Sequence, residues 1–333
     1  MHKRRVNELQ LQYVIKPAGP ILIKSGGETA LNPTLPEMTF VRTRHPQTGD
    51  TTIYLPGSSL KGVIRSHSER IIRTVLGDGP ETCCDLLGGR GSQNCQERIK
   101  SRRLKEAPEQ YRELCLACRI FGHMDHASHF LTADAFPPAP IDNLPVRQNV
   151  AIDRLSGGVA AGPFDMEVAL EGEFHSQLTL YNFELWQVGL LILALRDIGE
   201  GRVRLGFAKS RGLGEVHLYL TQATVSYPGQ FASSAFTFDK TFYGAGSLVK
   251  MKNGAADTAF VRAYDYVGQT DQIGWEVNGA YDPDEVWGRP SLRFGVAPDQ
   301  LTPATLASNH NTIMGALAVS VKAWAQFVRE YKG

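Results

Sequence analysis

The chain has 333 residues, of which 42% are hydrophobic, and this proportion favours a packed core over a disordered chain. Lysine and arginine number 35 against 34 aspartates and glutamates, so the net charge is +1. This balance excludes a protein that binds nucleic acid through an overall positive charge, but it still allows a basic groove offset by acids elsewhere. No apolar run reaches the ~18 residues of a membrane helix, and no hydrophobic segment follows the basic N-terminus. We therefore expect a cytoplasmic protein that contacts no membrane and whose five cysteines are thiols or metal ligands.

The hydrophobic pattern predicts alternating strands and helices along the first two thirds of the chain. Apolar residues at every second position predict a strand at 9–15, and helical spacing predicts a helix ending near residue 76, capped by Ser58 or Ser59. Further elements are predicted at 174–181 (strand), 184–198 (helix), 216–220 (strand) and 313–328 (closing amphipathic helix). Two strand–helix units of this kind are compatible with an α+β, ferredoxin-like βαββαβ fold.

A Gly-Ser-Ser turn opens the first predicted helix. Such a turn offers free backbone N–H groups and the positive end of the helix dipole to a phosphate. Lys61 and Arg65 lie four residues apart and add positive charge to one helix face. The segment is not a P-loop, because Val63 stands where that motif needs lysine. The alternative is an ordinary capped surface helix.

A second basic segment follows the second predicted helix, at residues 199–214. It contains five glycines and four basic residues. Arg202 and Arg204 precede Gly206, and Lys209 and Arg211 follow it. Glycine allows a polyanion to approach the backbone closely, and the basic side chains supply counter-charge. Nucleic-acid contact is favoured over a flexible hairpin with solvated charges.

The cysteines are confined to a basic insert at residues 78–130. Cys115 and Cys118 form a C-x-x-C pair, and Cys84 and Cys95 lie upstream. Four thiolates fit a tetrahedral structural zinc site that has no open position for catalysis. Cys83 is an alternative to Cys84. His123 or His126 could likewise replace a cysteine, and a redox pair or free thiols are the other interpretations.

Residues 145–165 predict a long hairpin with a small, glycine-rich tip near 156–162. Arg147 and Arg154 flank this tip. Nothing in the local sequence distinguishes it from an ordinary hairpin.

Four segments, 55–62, 115–122, 149–154 and 199–214, together resemble the repeat-associated mysterious protein (RAMP) superfamily of CRISPR systems. The chain is most similar to Cas7-type, Csm3-like backbone subunits of type III effector complexes over residues 8–220. The resemblance implies a modified RNA-recognition (RRM) fold with a thumb hairpin at about 145–165 and a zinc-binding insert. It implies a domain at 1–222 and a C-terminal extension at 223–333 without an assigned role.

The resemblance also implies a function in RNA-guided antiviral defence. Subunits of this family stack along a guide RNA, and each thumb displaces one guide base. The expected partners are the guide RNA, a complementary target RNA and other Cas subunits. The residues expected to contact RNA are Ser58, Ser59, Lys61, Arg65, Arg147, Asn149, Arg154, Arg204, Lys209 and Arg211.

In this family an aspartate before the Pro-Gly-Ser-Ser motif, with a divalent metal, supports endoribonuclease cleavage of the target. The present chain has no aspartate between Gly27 and Arg44, and Glu37 aligns best with that position. Two outcomes follow: a metal-dependent nuclease using Mg²⁺ or Mn²⁺ at Glu37, or an inactive RNA-binding subunit. A third interpretation is a stand-alone repeat-RNA processing enzyme of the same superfamily that uses a histidine. Its candidates are His45, His67, His123, His126 and His129.

Overall fold

The computed structural model describes residues 5–26, 38–85, 94–228, 240–251, 271–277, 279–282 and 291–332. The strands are β1 (Glu8–Pro17), β2 (Arg42–Arg44), β3 (Thr51–Ile53), β4 (Phe130–Thr132), β5 (Val146–Ile152), β6 (Val159–Glu167), β7 (Phe174–Tyr181), β8 (Val216–Ser226), β9 (Thr241–Tyr243), β10 (Gln272–Gly274), β11 (Ala280–Asp282) and β12 (Ser291–Gly295). The helices are α1 (Gly57–Leu76), α2 (Cys95–Ser101), α3 (Ala107–Glu113), α4 (Leu116–Phe121), α5 (Leu185–Gly199), α6 (Ala245–Met251), α7 (Pro303–Leu317) and α8 (Val319–Lys332).

A six-stranded antiparallel sheet with the order β11-β12-β8-β1-β7-β4 forms the centre of the fold. Its four strands β8-β1-β7-β4, with α1 after β1 and α5 after β7, reproduce the βαββαβ connectivity expected from the sequence. Leu9 and Leu11 of β1 pair with Leu180 and Leu178 of β7, and all four side chains are buried. This arrangement fits an RRM-like α+β fold.

Helix α5 is apolar around most of its circumference because several elements cover it. It packs against α1 and β8, and it also packs against α8. A Cβ at Gly189 would lie 2.2 Å from the carbonyl oxygen of Ser320, so this glycine allows the backbones of α5 and α8 to approach closely. No helix among the described residues is both long and apolar enough to cross a membrane.

The start of α1 differs from the sequence prediction. The helix begins at Gly57, and neither Ser58 nor Ser59 caps it. The carboxylate of Asp134 instead accepts a hydrogen bond of 2.7 Å from the N–H of Gly57. A cap supplied by a residue 77 positions away cannot be found from local sequence, which explains why the prediction was wrong.

The end of the chain differs as well. The predicted closing helix is two helices, α7 and α8, which meet at Ala318. Helix α7 packs against β8 and α8 against α5, so each half covers a different surface. Strand β8 continues past residue 222, and β12 pairs with it through Leu292 and Val225. The described part of the 223–333 extension therefore includes strands of the central sheet.

Candidate functional site

A groove lies between α1 and the glycine-rich loop at 199–214. It encloses about 290 Å³, and its lining residues are Ser59, Gly62, Val63, Ser66, His67, Arg70, Val203, Gly206 and Lys209. Small side chains form much of this surface, and a Cβ at Gly62 would meet no atom within 4 Å. Arg70 and Lys209 place positive charge on its two sides. The groove can therefore accept an anionic chain close to the helix backbone.

The glycine-rich loop is held against the segment that follows β1. Gly206 has a φ of +77°, and a Cβ there would lie 2.3 Å from the carbonyl oxygen of Leu22. The next residue, Phe207, donates its N–H to the same oxygen at 2.7 Å. The cationic groups of Lys24 and Arg211 lie 5.6 and 5.4 Å from the centre of the Phe207 ring. These contacts fix the loop beside α1.

A hydrogen bond between the side chains of His67 and Asp197 connects α1 and α5 beside the groove. His67 Nε2 is 2.7 Å from Asp197 Oδ2, and Arg196 donates to Asp197 Oδ1 at 2.8 Å. Burial raises the pKa of Asp197, but the hydrogen bonds from His67 and Arg196 outweigh it and hold that pKa below its usual value. The pair joins the groove-lining helix to the core of the fold.

The predicted RNA-contact residues of α1 occupy different surroundings. Ser59 lines the groove, and Ser58 is exposed at the start of the helix. Lys61 Nζ donates to the carbonyl of Phe130 at 3.3 Å, and burial, with the nearby charge of Arg65, lowers its pKa. Arg65 is directed toward α4 and the cysteines. Groove contact by Lys61 and Arg65 stays a prediction, and neither lines the groove in this structure.

The predicted residues of the glycine-rich loop remain close to the groove. Lys209 lines it directly. Arg204 donates to the carbonyl of Lys209 at 2.8 Å and lies 3.5 Å from a Glu215 carboxylate oxygen. Arg204 therefore orders the loop end that carries Lys209.

Strands β5 and β6 form the hairpin expected at 145–165, as a separate two-stranded sheet. Asp153 Oδ1 accepts the N–H groups of Leu155 and Ser156, which closes the turn and lowers the pKa of Asp153. Leu155 at the tip is 98% exposed. The three RNA-contact residues that were predicted for this segment lie on the hairpin. Arg147 and Arg154 are exposed, and Asn149 is half-buried. A role as a thumb remains a prediction.

The four cysteines predicted as metal ligands come together. The sulfur atoms of Cys84, Cys95, Cys115 and Cys118 lie within 4.8 Å of one another, and all four residues are buried and free of disulfide bonds. Cys84 Sγ and Cys118 Sγ are 3.7 Å apart. Tetrahedral Zn²⁺ with Zn–S bonds of about 2.3 Å separates its sulfur ligands by about 3.8 Å. The cluster therefore fits a structural zinc ion.

Positive and polar hydrogen donors surround this cluster. Arg65 donates to Cys118 Sγ and Arg98 donates to Cys95 Sγ, each at 3.3 Å. The N–H of Cys115 donates to Cys95 Sγ at 3.1 Å. Zn²⁺ with four thiolates has a net charge of about −2, so two guanidinium groups offset it. No sequence motif indicated these two arginines as partners of the cysteines.

The alternative ligands considered for the zinc site stay outside the cluster. Cys83 donates instead to the carbonyl of Glu69 at 3.7 Å, and burial raises the pKa of its thiol, so it remains neutral. His123 is half-buried, and burial lowers its pKa. Neither His123 nor His126 belongs to the ligand cluster that the described residues form.

The histidines proposed for RNA processing are mostly committed to packing. His45, His67, His126 and His129 are buried, and His45 Nε2 bonds the carbonyl of Pro137 at 2.9 Å. General acid–base catalysis needs a histidine within reach of the substrate. His67 nevertheless lines the groove beside α1, so a stand-alone processing enzyme stays a prediction. Glu37, the predicted catalytic residue, lies outside the described residues.

Of the two lysine or arginine residues that line the groove, the sequence predicted Lys209 and missed Arg70. Arg70 follows Ser59, Gly62 and Ser66 at helical spacing, so the same face of α1 carries all four. That spacing was a usable signal, whereas the position of the glycine-rich loop opposite this face depends on the fold.

Comparison with known protein families agrees with the fold. The family model of the RAMP superfamily matches residues 15–217, more than half of the chain and a range that includes α1, the cysteine cluster, the hairpin and the glycine-rich loop. A search of curated proteins finds no match. The chain belongs to the RAMP superfamily, and this membership indicates a CRISPR-associated RNA-binding function.

Proposed function

We propose that this chain is a Cas7-type, Csm3-like subunit of a type III CRISPR effector complex and binds the guide RNA in the groove between α1 and the glycine-rich loop. The single observation that carries the proposal is the lining of this groove, with small residues on its floor and Arg70 and Lys209 on opposite sides. Small residues admit a backbone closely, and the basic groups neutralise phosphates. Recognition through the backbone suits a subunit whose specificity comes from base pairing.

The exposed β5–β6 hairpin is proposed as the thumb that displaces a guide base. Its tip carries Leu155 beyond the turn closed by Asp153, and Val150, Ile152 and Val159 are also exposed along its strands. An apolar projection of this kind can enter a base stack, as apolar wedges do in other nucleic-acid complexes. Arg147 and Arg154 would contact the adjacent phosphates.

The zinc ion would have a structural role. Cys84, Cys95, Cys115 and Cys118 would hold it, and a site closed by four thiolates leaves no position for substrate. Arg65 joins this site to α1 through its bonds to Cys118 and to the carbonyl of Gly122. The metal would thus hold the basic insert against the groove-lining helix. Reduced thiolates also agree with a cytoplasmic location.

Target cleavage is proposed at Glu37, with Mg²⁺ or Mn²⁺ bound by its carboxylate. A divalent cation there would stabilise the charge that develops on the cleaved phosphate. The test is a reconstituted effector complex with labelled complementary RNA and Mg²⁺. Cleavage at regular spacing that is lost in Glu37→Ala supports a nuclease, whereas an intact target with normal binding identifies a purely RNA-binding subunit.

The groove itself is tested by removing its two charges. The double variant Arg70→Gln/Lys209→Gln should bind guide RNA more weakly than wild type. Each lost phosphate contact to single-stranded RNA lowers the slope of log K against log salt by about 0.7, so the slope should fall by about 1.4.

The matched control is Lys322→Gln/Arg329→Gln, which removes two exposed charges from α8, outside the groove. This variant should retain the wild-type slope. Equal slopes for the groove variant and the control variant would contradict the proposed guide-binding groove.

A further inference from the structure

A second cavity, here called the arginine pocket, lies between the cysteine-containing insert and α8. It encloses about 510 Å³, and its lining residues are Glu81, Arg98, Arg102, Arg112, Glu113, Leu114, Leu116, Arg119, Phe327 and Tyr331. This volume is within the 300–1,000 Å³ typical of small-ligand sites. It shares none of its lining residues with the groove beside α1.

Two of its guanidinium groups are held in place by backbone carbonyls. Arg98 donates to the carbonyl of Pro80 at 2.6 Å and to that of Glu113 at 2.7 Å. Arg119 donates to the carbonyl of Leu114 at 3.3 Å. Because these side chains are already ordered, a ligand that meets them does not bear the entropy cost of fixing them.

The other two arginines are more accessible. Arg102 pairs with the carboxylate of Glu113, and its side chain is 58% exposed. Arg112 is exposed, and its guanidinium group has no hydrogen-bond or ion-pair partner among the described residues. Arg98 also donates to Cys95 Sγ, so three arginines remain against two glutamates, and the pocket keeps an excess of one positive charge. A planar guanidinium fork matches the oxygens of a phosphate group.

A series of aromatic rings ends in the same pocket. The Trp186 and Phe327 rings stack with centroids 4.6 Å apart, and the Tyr331 ring follows at 5.7 Å from Phe327. Phe327 is fixed by this stacking, whereas Tyr331 is 40% exposed. Its exposed ring surface is suited to a further flat ring, and bases stack on aromatic side chains with little dependence on sequence.

We propose that the arginine pocket binds a nucleotide, with its phosphate on Arg112 and Arg102 and its base on the Tyr331 ring. The source of that nucleotide is the phosphorylated end of an RNA chain or a free nucleoside monophosphate. An acidic peptide is a poorer match, because it supplies no ring to stack on the exposed Tyr331 side chain. The carboxylates of Glu81 and Glu113 can accept hydrogen bonds from the amino group or ribose of a nucleotide.

The test uses the full chain with three probes. The probes are AMP and two RNA tetranucleotides with 2-aminopurine as the first base, one with a 5′-phosphate and one with a 5′-hydroxyl. Stacking on Tyr331 should quench the 2-aminopurine fluorescence. Tighter binding of the phosphorylated tetranucleotide than of AMP identifies an RNA end, and equal binding identifies a free nucleotide.

Variants then assign the binding to this pocket. Arg112→Gln and Tyr331→Leu should each weaken binding of the phosphorylated probe about tenfold. Arg329→Gln, an exposed arginine on the same helix outside the pocket, should leave affinity unchanged. The groove variant Arg70→Gln/Lys209→Gln should also leave it unchanged, which separates this site from the proposed guide-binding groove.

Four results would overturn the inference. The first three are the absence of binding by all three probes, wild-type affinity in both pocket variants, and loss of probe binding in the groove variant. Displacement of the probe by a hexaglutamate peptide that binds Tyr331→Leu as tightly as wild type would also overturn it, because the pocket would then be a peptide site.

Discussion

Replacement of Cys118 by serine should remove the metal from the cysteine cluster. Cys118 Sγ lies 3.7 Å from Cys84 Sγ and accepts a hydrogen bond from Arg65, so it belongs both to the cluster and to the connection with α1. A hydroxyl group is a poor ligand for Zn²⁺ at neutral pH, because zinc binds the deprotonated thiolate strongly. With three ligands left, we expect the zinc content to fall from about one atom per chain to near zero.

The loss of zinc should also lower thermal stability. A ligand present at about 1,000 times its dissociation constant stabilises the folded state by about 4 kcal/mol. For a protein of this size, about 1 kcal/mol corresponds to about 2 °C in Tm. We therefore expect Tm to fall by about 8 °C in Cys118→Ser, and by a similar amount in wild type after chelation.

Metal analysis and thermal unfolding of Cys118→Ser and Cys83→Ser give the comparison. Cys83 is a neighbouring buried thiol that lies outside the cluster and bonds the carbonyl of Glu69, so Cys83→Ser should keep its zinc. Full zinc content in Cys118→Ser, or equal zinc loss in Cys83→Ser, would refute the ligand assignment.

Three further predictions concern the support of the groove. Asp134→Ala removes the carboxylate that caps α1 and should lower the free energy of unfolding by about 1 kcal/mol in denaturant titrations, whereas an unchanged midpoint would contradict the capping role. Gly206→Ala forces a Cβ to within 2.3 Å of the carbonyl oxygen of Leu22 at a positive φ, so unfolding free energy should drop by about 2 kcal/mol or more; wild-type stability would show that the loop does not need this conformation. Asp197→Asn should cost about 1 kcal/mol at neutral pH, because it weakens the bond to His67. Since the folded-state pKa of Asp197 lies below its unfolded value of about 3.9, the stability difference should be complete above that pH and should shrink as pH falls through the folded-state pKa; a difference that stays constant or grows as pH falls would refute this account.

Local pattern was sufficient for the elements that form the central fold. The alternation in β1 and β7 and the apolar run of α5 have short-range physical causes, so their positions followed from the sequence. The cysteine set was also predictable, because four thiols that include a C-x-x-C pair are typical of a site that can hold a metal ion.

Contacts between distant residues could not be predicted in the same way. The cap from Asp134, the division of the last helix at Ala318, and the bonds of Arg65 and Arg98 to the cysteines all depend on segments that meet only after folding. Propensity and spacing describe residues within about one helical turn of each other, and they contain no information on which distant groups become neighbours.

The near-zero net charge also separates what the sequence determines from what the fold decides. The sequence by itself determined a ferredoxin-like order of elements, a set of four thiols that can hold a metal ion, and clusters of basic residues in a nearly neutral chain. The tertiary structure decided which of those charges lie free beside a cavity. It directs Arg65 inward to Glu69 and the cysteines, and it places Arg70 and Lys209 across one groove. The physical reason is that a charge is neutralised or left available by its neighbours in space, and the packing of α1 against the glycine-rich loop and the insert selects those neighbours.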